Sequence, residues 1–97
     1  MEVVKQLIKS NKVMMFSKSY CPYCKLAKEV LSSANIEFKS MELDQESNGA
    51  QVQSALESLT GQRTVPNVFV GGKSIGGGTD VQKLHADGKL QALVDAA

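Results

Sequence analysis

Cys21 and Cys24 are the only cysteines among 97 residues, and Pro22 and Tyr23 separate them. Two thiols at that spacing serve as a structural crosslink, as half of a metal site, or as a redox couple. A structural zinc ion takes four ligands, and the remaining chain adds only His85 to the nitrogen and sulfur donors. A two-residue loop closes so little chain that a purely structural disulfide gains little from loop entropy. Redox chemistry is the reading left standing. One sulfur attacks as a thiolate, and the other resolves the mixed disulfide that results.

The elements around the pair assign the roles. "KVMMF", Lys12 to Phe16, is a near-continuous apolar run of the kind found in a strand covered on both faces. Leu26, Ala27, Val30, Leu31 and Ala34 then recur at helical spacing. Pro22 suits the first position of that helix, where a missing N–H costs nothing. Cys21 therefore lies at a helix start, whose unsatisfied amides and partial positive charge stabilise a thiolate. Cys24 falls about one turn further in, where burial favours the protonated thiol. Cys21 is the expected nucleophile, Cys24 the expected resolving thiol, and Lys18 a nearby positive charge.

Other segments must position this junction. Val3, Val4, Leu7 and Ile8 predict a short helix over roughly residues 2–10. "IEFKSMEL", Ile36 to Leu43, alternates well enough for a second strand, and Val52, Ala55, Leu56 and Leu59 mark a helix entered near Asn48 and closed by Gly61. "NVFVGGKSI" reads as two strands joined by Gly71-Gly72. "GGGTD" opens a helix carrying Val81 and Leu84, and Leu90, Leu93 and Val94 mark a last one. Leu7, Met14, Met15, Phe16, Leu31, Leu56, Phe69 and Leu93 are the expected core. Glu42, Asp44 and Glu46, at a strand end, are expected on a solvated face. The βαβ portion calls for parallel strands with a right-handed crossover and the ββ portion for an antiparallel hairpin. A thioredoxin-like α/β fold, with a mixed four-stranded sheet and helices on both faces, satisfies both.

Composition sets outer bounds. The length suits one domain over residues 1–97, large enough to bury roughly 60 to 70% of its surface without disulfide staples. Eleven Lys and Arg against ten Asp and Glu give a net charge of +1, which offers no case for nucleic acid or membrane binding. The N-terminal stretch lacks the apolar core and cleavage site of a signal peptide. Two cysteines do not make a secreted disulfide scaffold, so a reducing compartment, the cytoplasm, is the expectation; a transit peptide removed from a longer precursor would leave no trace here.

Taken together, Cys21-Pro22-Tyr23-Cys24, "TVP" at Thr64 to Pro66 and "GGGTD" at Gly76 to Asp80 resemble a dithiol glutaredoxin over nearly the whole chain. One departure is Gly78, where many relatives carry cysteine; another is Tyr20, where some have tryptophan. The resemblance implies a glutathione-dependent thiol–disulfide oxidoreductase with glutathione as co-substrate and no metal. It also implies glutathionylated or disulfide-containing proteins as substrates, glutathione reductase and NADPH upstream, and a monomer. Glutathione is a tripeptide with a carboxylate at each end, an amine and a central cysteine. Lys18, Gln62 and Arg63 are suited to the glycyl carboxylate. The amides opening the helix at Gly78, Thr79 and Asp80 suit the γ-glutamyl carboxylate, with Asp80 accepting from the amine. Val65 can pair its backbone with the glutathione cysteine, beside Thr64 and an exposed Tyr23. Pro66 is expected to be cis.

Two rival readings accompany this one. A thioredoxin-type reductase is disfavoured by Pro-Tyr, rather than Gly-Pro, between the cysteines. An iron–sulfur scaffold using Cys21 and glutathione is disfavoured by Pro22, which stiffens the loop and removes an N–H.

Overall fold

The structure, a computed structural model, describes residues 1–97. Its sheet has the order β2-β1-β3-β4, with β1 (Val13–Ser17) parallel to β2 (Lys39–Glu42) and antiparallel to β3 (Asn67–Val70), and β3 antiparallel to β4 (Lys73–Gly76). The crossover from β1 to β2 runs through α2 (Pro22–Ser33). Helices α1 (Glu2–Ser10) and α3 (Gly49–Thr60) pack on one face, and α2, α4 (Gly78–Ala86) and α5 (Leu90–Ala96) on the other. This is the expected thioredoxin-like arrangement. No helix is long and apolar enough to cross a membrane.

All five residues of β1 are buried, and their alternation divides the core. Val13 and Met15 point to the α2/α4/α5 side, where they meet Ala27, Leu31, Val81 and Leu90. Met14 and Phe16 point to the α1/α3 side with Val4, Val52, Leu56 and Phe69. Phe16 and Phe69 meet edge to face, with ring centroids 5.8 Å apart and planes at 87°. That offset avoids face-to-face repulsion between ring quadrupoles. By the same alternation Ser17, the fifth residue, returns to the α2 side.

Three expectations need correction. The second strand covers only Lys39–Glu42, because α2 unwinds through Asn35 in a left-handed conformation (φ 57°) and the Ile36 amide still donates to Leu31 O. Ile36 is thus buried at a helix exit rather than in a strand. Leu93 is 40% exposed; α5 is short, and Leu90 and Val94, one turn apart, take the core side instead. Glu42 does not lie on a solvated face. Its carboxylate accepts from Ser17 Oγ at 2.9 Å and from Lys28 Nζ at 3.1 Å, and also from Ser40 Oγ.

Candidate active site

The C-terminal end of β1 delivers the chain to Cys21, the N-cap of α2, in an extended conformation (φ −85°, ψ 119°) with Pro22 at the first helical position. The Cys21 sulfur itself serves as the capping acceptor: the Cys24 amide donates to Sγ at 3.4 Å. Such a donor binds an ionised sulfur more strongly than a neutral one. On its other side, Cys21 Sγ lies 3.7 Å from the carbonyl oxygen of Val65. Val65 precedes Pro66 across a cis peptide bond, as expected.

Cys24 is inaccessible to solvent, whereas Cys21 is partly exposed, and both are free thiols. Burial pushes the Cys24 thiol up from its ordinary range, and the proximity of Cys21 adds to this. The Lys18 amide, donating to Cys24 Sγ at 3.5 Å, opposes it only in part. The two sulfurs of one helical turn therefore meet unequal surroundings.

Beside Cys21 opens a cleft of about 470 Å³. One wall is Tyr23, whose side chain is 58% exposed. Gln62, Thr64, Val65 and Pro66 form the second wall, and Gly77, Gly78, Thr79 and Asp80 the third. The first amides of α4 have no partner within the helix and face this cleft. Asp80 reaches back so that its Oδ2 accepts the Gly77 amide at 2.9 Å. Gly78 explains its own identity: a Cβ there would lie 2.5 Å from the carbonyl oxygen of Tyr23. The starts of α2 and α4 thus approach backbone to backbone, closer than a side chain at this position would allow without a shift of the Tyr23 carbonyl.

Eight of the ten residues expected at a glutathione site line this cleft, and Lys18 and Arg63 do not. Arg63 is paired instead with Glu57, Nε to Oε2 at 2.6 Å, with its side chain 82% exposed. That contact draws Glu57 below the ordinary carboxylate range and pushes Arg63 up. Gln62 spends both amide protons on the loop, donating to Thr64 O and Pro66 O at 2.9 Å each. It braces the segment that carries Val65. A larger cavity, about 580 Å³, lies at the opposite end of β1 among Lys5, Ile8, Lys12 and Gly71. It contains no thiol, and the chemistry rather than the volume identifies the site.

Sequence reasoning missed the polar cluster of Ser17, Lys28, Ser40 and Glu42 behind Cys24. Its members come from three separate elements, and only the parallel register pairing Ser17 with Glu42 brings them together.

Comparison with known proteins agrees with this geometry. Residues 13–75 match the glutaredoxin family model. The chain is 52% identical to Glutaredoxin-C2 of Arabidopsis thaliana over 97 residues, all of this chain and 87% of that protein. It is 45% identical to the mitochondrial Glutaredoxin-2 of Mus musculus, covering 94% of this chain and 58% of the mouse protein. The crystal structure of a buckwheat glutaredoxin–glutathione complex superposes with a TM-score of 0.95 at 46% identity, over 98% of this chain and 86% of that one. With a thiol at a helix start, a buried partner one turn on and a cleft reaching to a second helix start, the chain belongs to the glutaredoxin family.

Proposed function

We propose that Cys21 is the attacking thiolate and Cys24 the resolving thiol with which this glutaredoxin carries out glutathione-dependent thiol–disulfide exchange. The observation that carries the assignment is the Cys21 sulfur at the α2 N-cap, receiving the Cys24 amide and lying 3.7 Å from Val65 O at the edge of the cleft. Cys21 thiolate attacks the glutathione sulfur of a glutathionylated protein, and the protein leaves as its thiolate. A second glutathione, as thiolate, then attacks the glutathione sulfur bound to Cys21, releasing glutathione disulfide and restoring the Cys21 thiolate. With a disulfide-containing protein, Cys21 forms the mixed disulfide and Cys24 attacks Cys21. The Cys21–Cys24 disulfide that results is reduced by two glutathiones.

Glutathione is read into the cleft in the orientation its chemistry favours. Its γ-glutamyl carboxylate meets the first amides of α4 at Gly78 and Thr79, and its amine meets Asp80. Its cysteine backbone pairs with Val65 between Tyr23, Thr64 and Pro66. Beside the Thr64–Pro66 loop, which Gln62 braces, the glycyl carboxylate lies toward Lys18 and Arg63. Arg63 can turn to it readily, since an exposed pair such as Arg63–Glu57 holds little energy. The buckwheat relative was crystallised with glutathione, which supports the same occupant here. Glutathionylated and disulfide-containing proteins as substrates, glutathione reductase and NADPH upstream, a monomeric state and a cytoplasmic location complete the proposal.

The test is a pair of variants assayed on a glutathionylated peptide and on a protein disulfide. Cys24→Ser is expected to keep the first activity and lose the second, and Cys21→Ser to lose both. Normal turnover by Cys21→Ser would overturn the assignment of the nucleophile.

A further inference from the structure

The mechanism above leaves one half-buried carboxylate unused. Glu42 ends β2 directly beside Ser17, its register partner on β1. Ser17 is fully buried and, by the alternation of β1, faces α2. Cys24 is fully buried on the sheet-facing side of α2 with Ala27 and Leu31, and its sulfur accepts the amide of Lys18, the residue after Ser17. The Ser17 hydroxyl, which donates to Glu42, thus shares the buried layer between β1 and α2 with the Cys24 sulfur.

A hydroxyl carries one proton. If Ser17 gave it to Cys24, the contact would favour a thiolate there. The competing acceptor is Glu42 Oε1, 2.9 Å from Ser17 Oγ. A charge-assisted hydrogen bond to a carboxylate outcompetes one to a neutral thiol. Burial alone would raise Glu42, but the Ser40 and Ser17 hydroxyls and the Lys28 ammonium outweigh it and hold the carboxylate below its ordinary range. Glu42 is therefore ionised at neutral pH and keeps the Ser17 proton. Ser17 then offers Cys24 only lone pairs, which accept an S–H and repel a thiolate.

We infer that Glu42, acting through Ser17, is a positioning residue that holds Cys24 in the thiol form and so slows closure of the Cys21–Cys24 disulfide. The inference rests on Cys24 being the resolving thiol. In that step Cys24 first loses its proton to solvent. Its thiolate then attacks Cys21 Sγ, the bond from Cys21 to the substrate sulfur breaks, and the substrate leaves as a thiolate that takes up a proton. The dithiol is oxidised and the substrate sulfur reduced, with no other redox partner. A resolving thiol held protonated prolongs the life of the mixed disulfide on Cys21 and leaves time for glutathione to attack it. Glu42 thereby biases the enzyme toward the route that uses Cys21 alone.

The charged and titratable groups around this relay are few. Lys28 faces Glu42 from α2, one helical turn beyond Cys24, and Cys21 faces Cys24 from the N-cap. Lys18 and Asp44 interact with each other across the loop after β1, where Asp44 is held by the amide and hydroxyl of Ser19.

The test titrates Cys24 directly, as thiolate absorbance in a full-length Cys21→Ser background, so it needs no activity. Adding Glu42→Gln removes the charge at constant shape, and adding Ser17→Ala removes the acceptor of the S–H. Each is expected to give roughly three- to tenfold more Cys24 thiolate at a fixed pH, about half to one pH unit of displacement. The acid limb of protein-disulfide reduction by Glu42→Gln in the otherwise native enzyme should move to lower pH by the same factor. Less thiolate in Ser17→Ala would mean that Ser17 donates to the thiolate, and an unmoved titration in Glu42→Gln would mean that the carboxylate does not act on Cys24. Either result overturns the inference, while the assignment of Cys21 and Cys24 is judged separately by their own serine variants. Lys28→Met, a substitution near the surface, supplies a variant of opposite sign: stripping Glu42 of its counter-charge should leave less Cys24 thiolate, and no change or an increase would also overturn the inference.

Discussion

Substituting Asp80 separates a structural duty from a binding one. The carboxylate accepts the Gly77 amide at 2.9 Å, satisfying one donor at the start of α4. It also occupies space that Gly76 leaves open, since a Cβ on Gly76 would lie 2.3 Å from Asp80 Oδ2. Asp80→Ala deletes the helix-start acceptor, a loss of about 1 kcal/mol, or roughly 4–8 °C in Tm for a domain of this size. Asp80→Asn keeps an oxygen that can accept the same amide, so its Tm should stay within a degree or two of the wild type. What Asn lacks is the charge for the glutathione amine. A hydrogen bond between charged groups contributes about 1.5–3 kcal/mol when shielded, and exposure reduces this to about 1–2 kcal/mol. The glutathione KM of Asp80→Asn should therefore rise roughly five- to thirtyfold, and less so at high salt. The assays are thermal unfolding by circular dichroism and steady-state turnover with glutathione varied. If Asp80→Asn keeps both its Tm and its KM, Asp80 does not meet the glutathione amine and the proposed orientation of the ligand is wrong.

Two further outcomes follow from local geometry. A Cβ on Gly49, at the start of α3, would fall 1.9 Å from the carbonyl oxygen of Leu43, a backbone atom that cannot step aside. Gly49→Ala should cost about 2–3 kcal/mol in urea unfolding, and a loss under 0.5 kcal/mol would show that the turn relaxes freely. Glu42 is held below its ordinary value of 4.5 despite partial burial, because the Ser40, Ser17 and Lys28 contacts prevail. A folded-state value below the unfolded one means that its stabilisation is complete above about pH 4.5 and is lost as pH falls through the folded value. The stability difference between wild type and Glu42→Gln should accordingly be largest at neutral pH and shrink between pH 5 and 3. A difference that stays constant with pH would remove the carboxylate from the ledger of acid sensitivity.

Features carried by one short segment were legible in the sequence. Pro22 and the apolar spacing after it fixed the start of α2, and the Gly71-Gly72 turn fixed the hairpin, because each depends on local backbone chemistry. Gly61 closed α3 for the same reason, with φ 78° at the helix end. Features assembled across segments were not. Ser17 and Glu42 are 25 residues apart, and their contact depends on parallel register, which no local pattern encodes. Arg63 reads as a free cation until α3 is seen to bring Glu57 to it. Gln62 reads as a ligand donor until the loop is seen to need both of its protons. Leu93 failed for a different reason: in a helix of seven residues the buried stripe through Leu90 and Val94 is narrow, and Leu93, about 100° from Val94 around the axis, falls at its edge.

Gly78 joins these levels. Its missing side chain lets the first turn of α4 settle against the Tyr23 carbonyl in the first turn of α2. Two helix starts, each with a partial positive charge, are thereby held together. Such a junction is electrostatically unfavourable when empty and becomes favourable when anions fill it. With Cys21 as the proposed nucleophile, its thiolate would supply one negative charge at the α2 start, where the Cys24 amide already points at the sulfur. In the proposed orientation the γ-glutamyl carboxylate of glutathione would supply another at the α4 start, with Asp80, which accepts the Gly77 amide, beside its amine. In the proposed site, nucleophile and γ-glutamyl end are thus met by adjoining backbone fields, while Arg63, the chain's single arginine and paired with Glu57 in the free protein, is left for the glycyl end. The site depends on two backbones meeting closely, and in this chain Gly78 lets them meet without displacing the Tyr23 carbonyl.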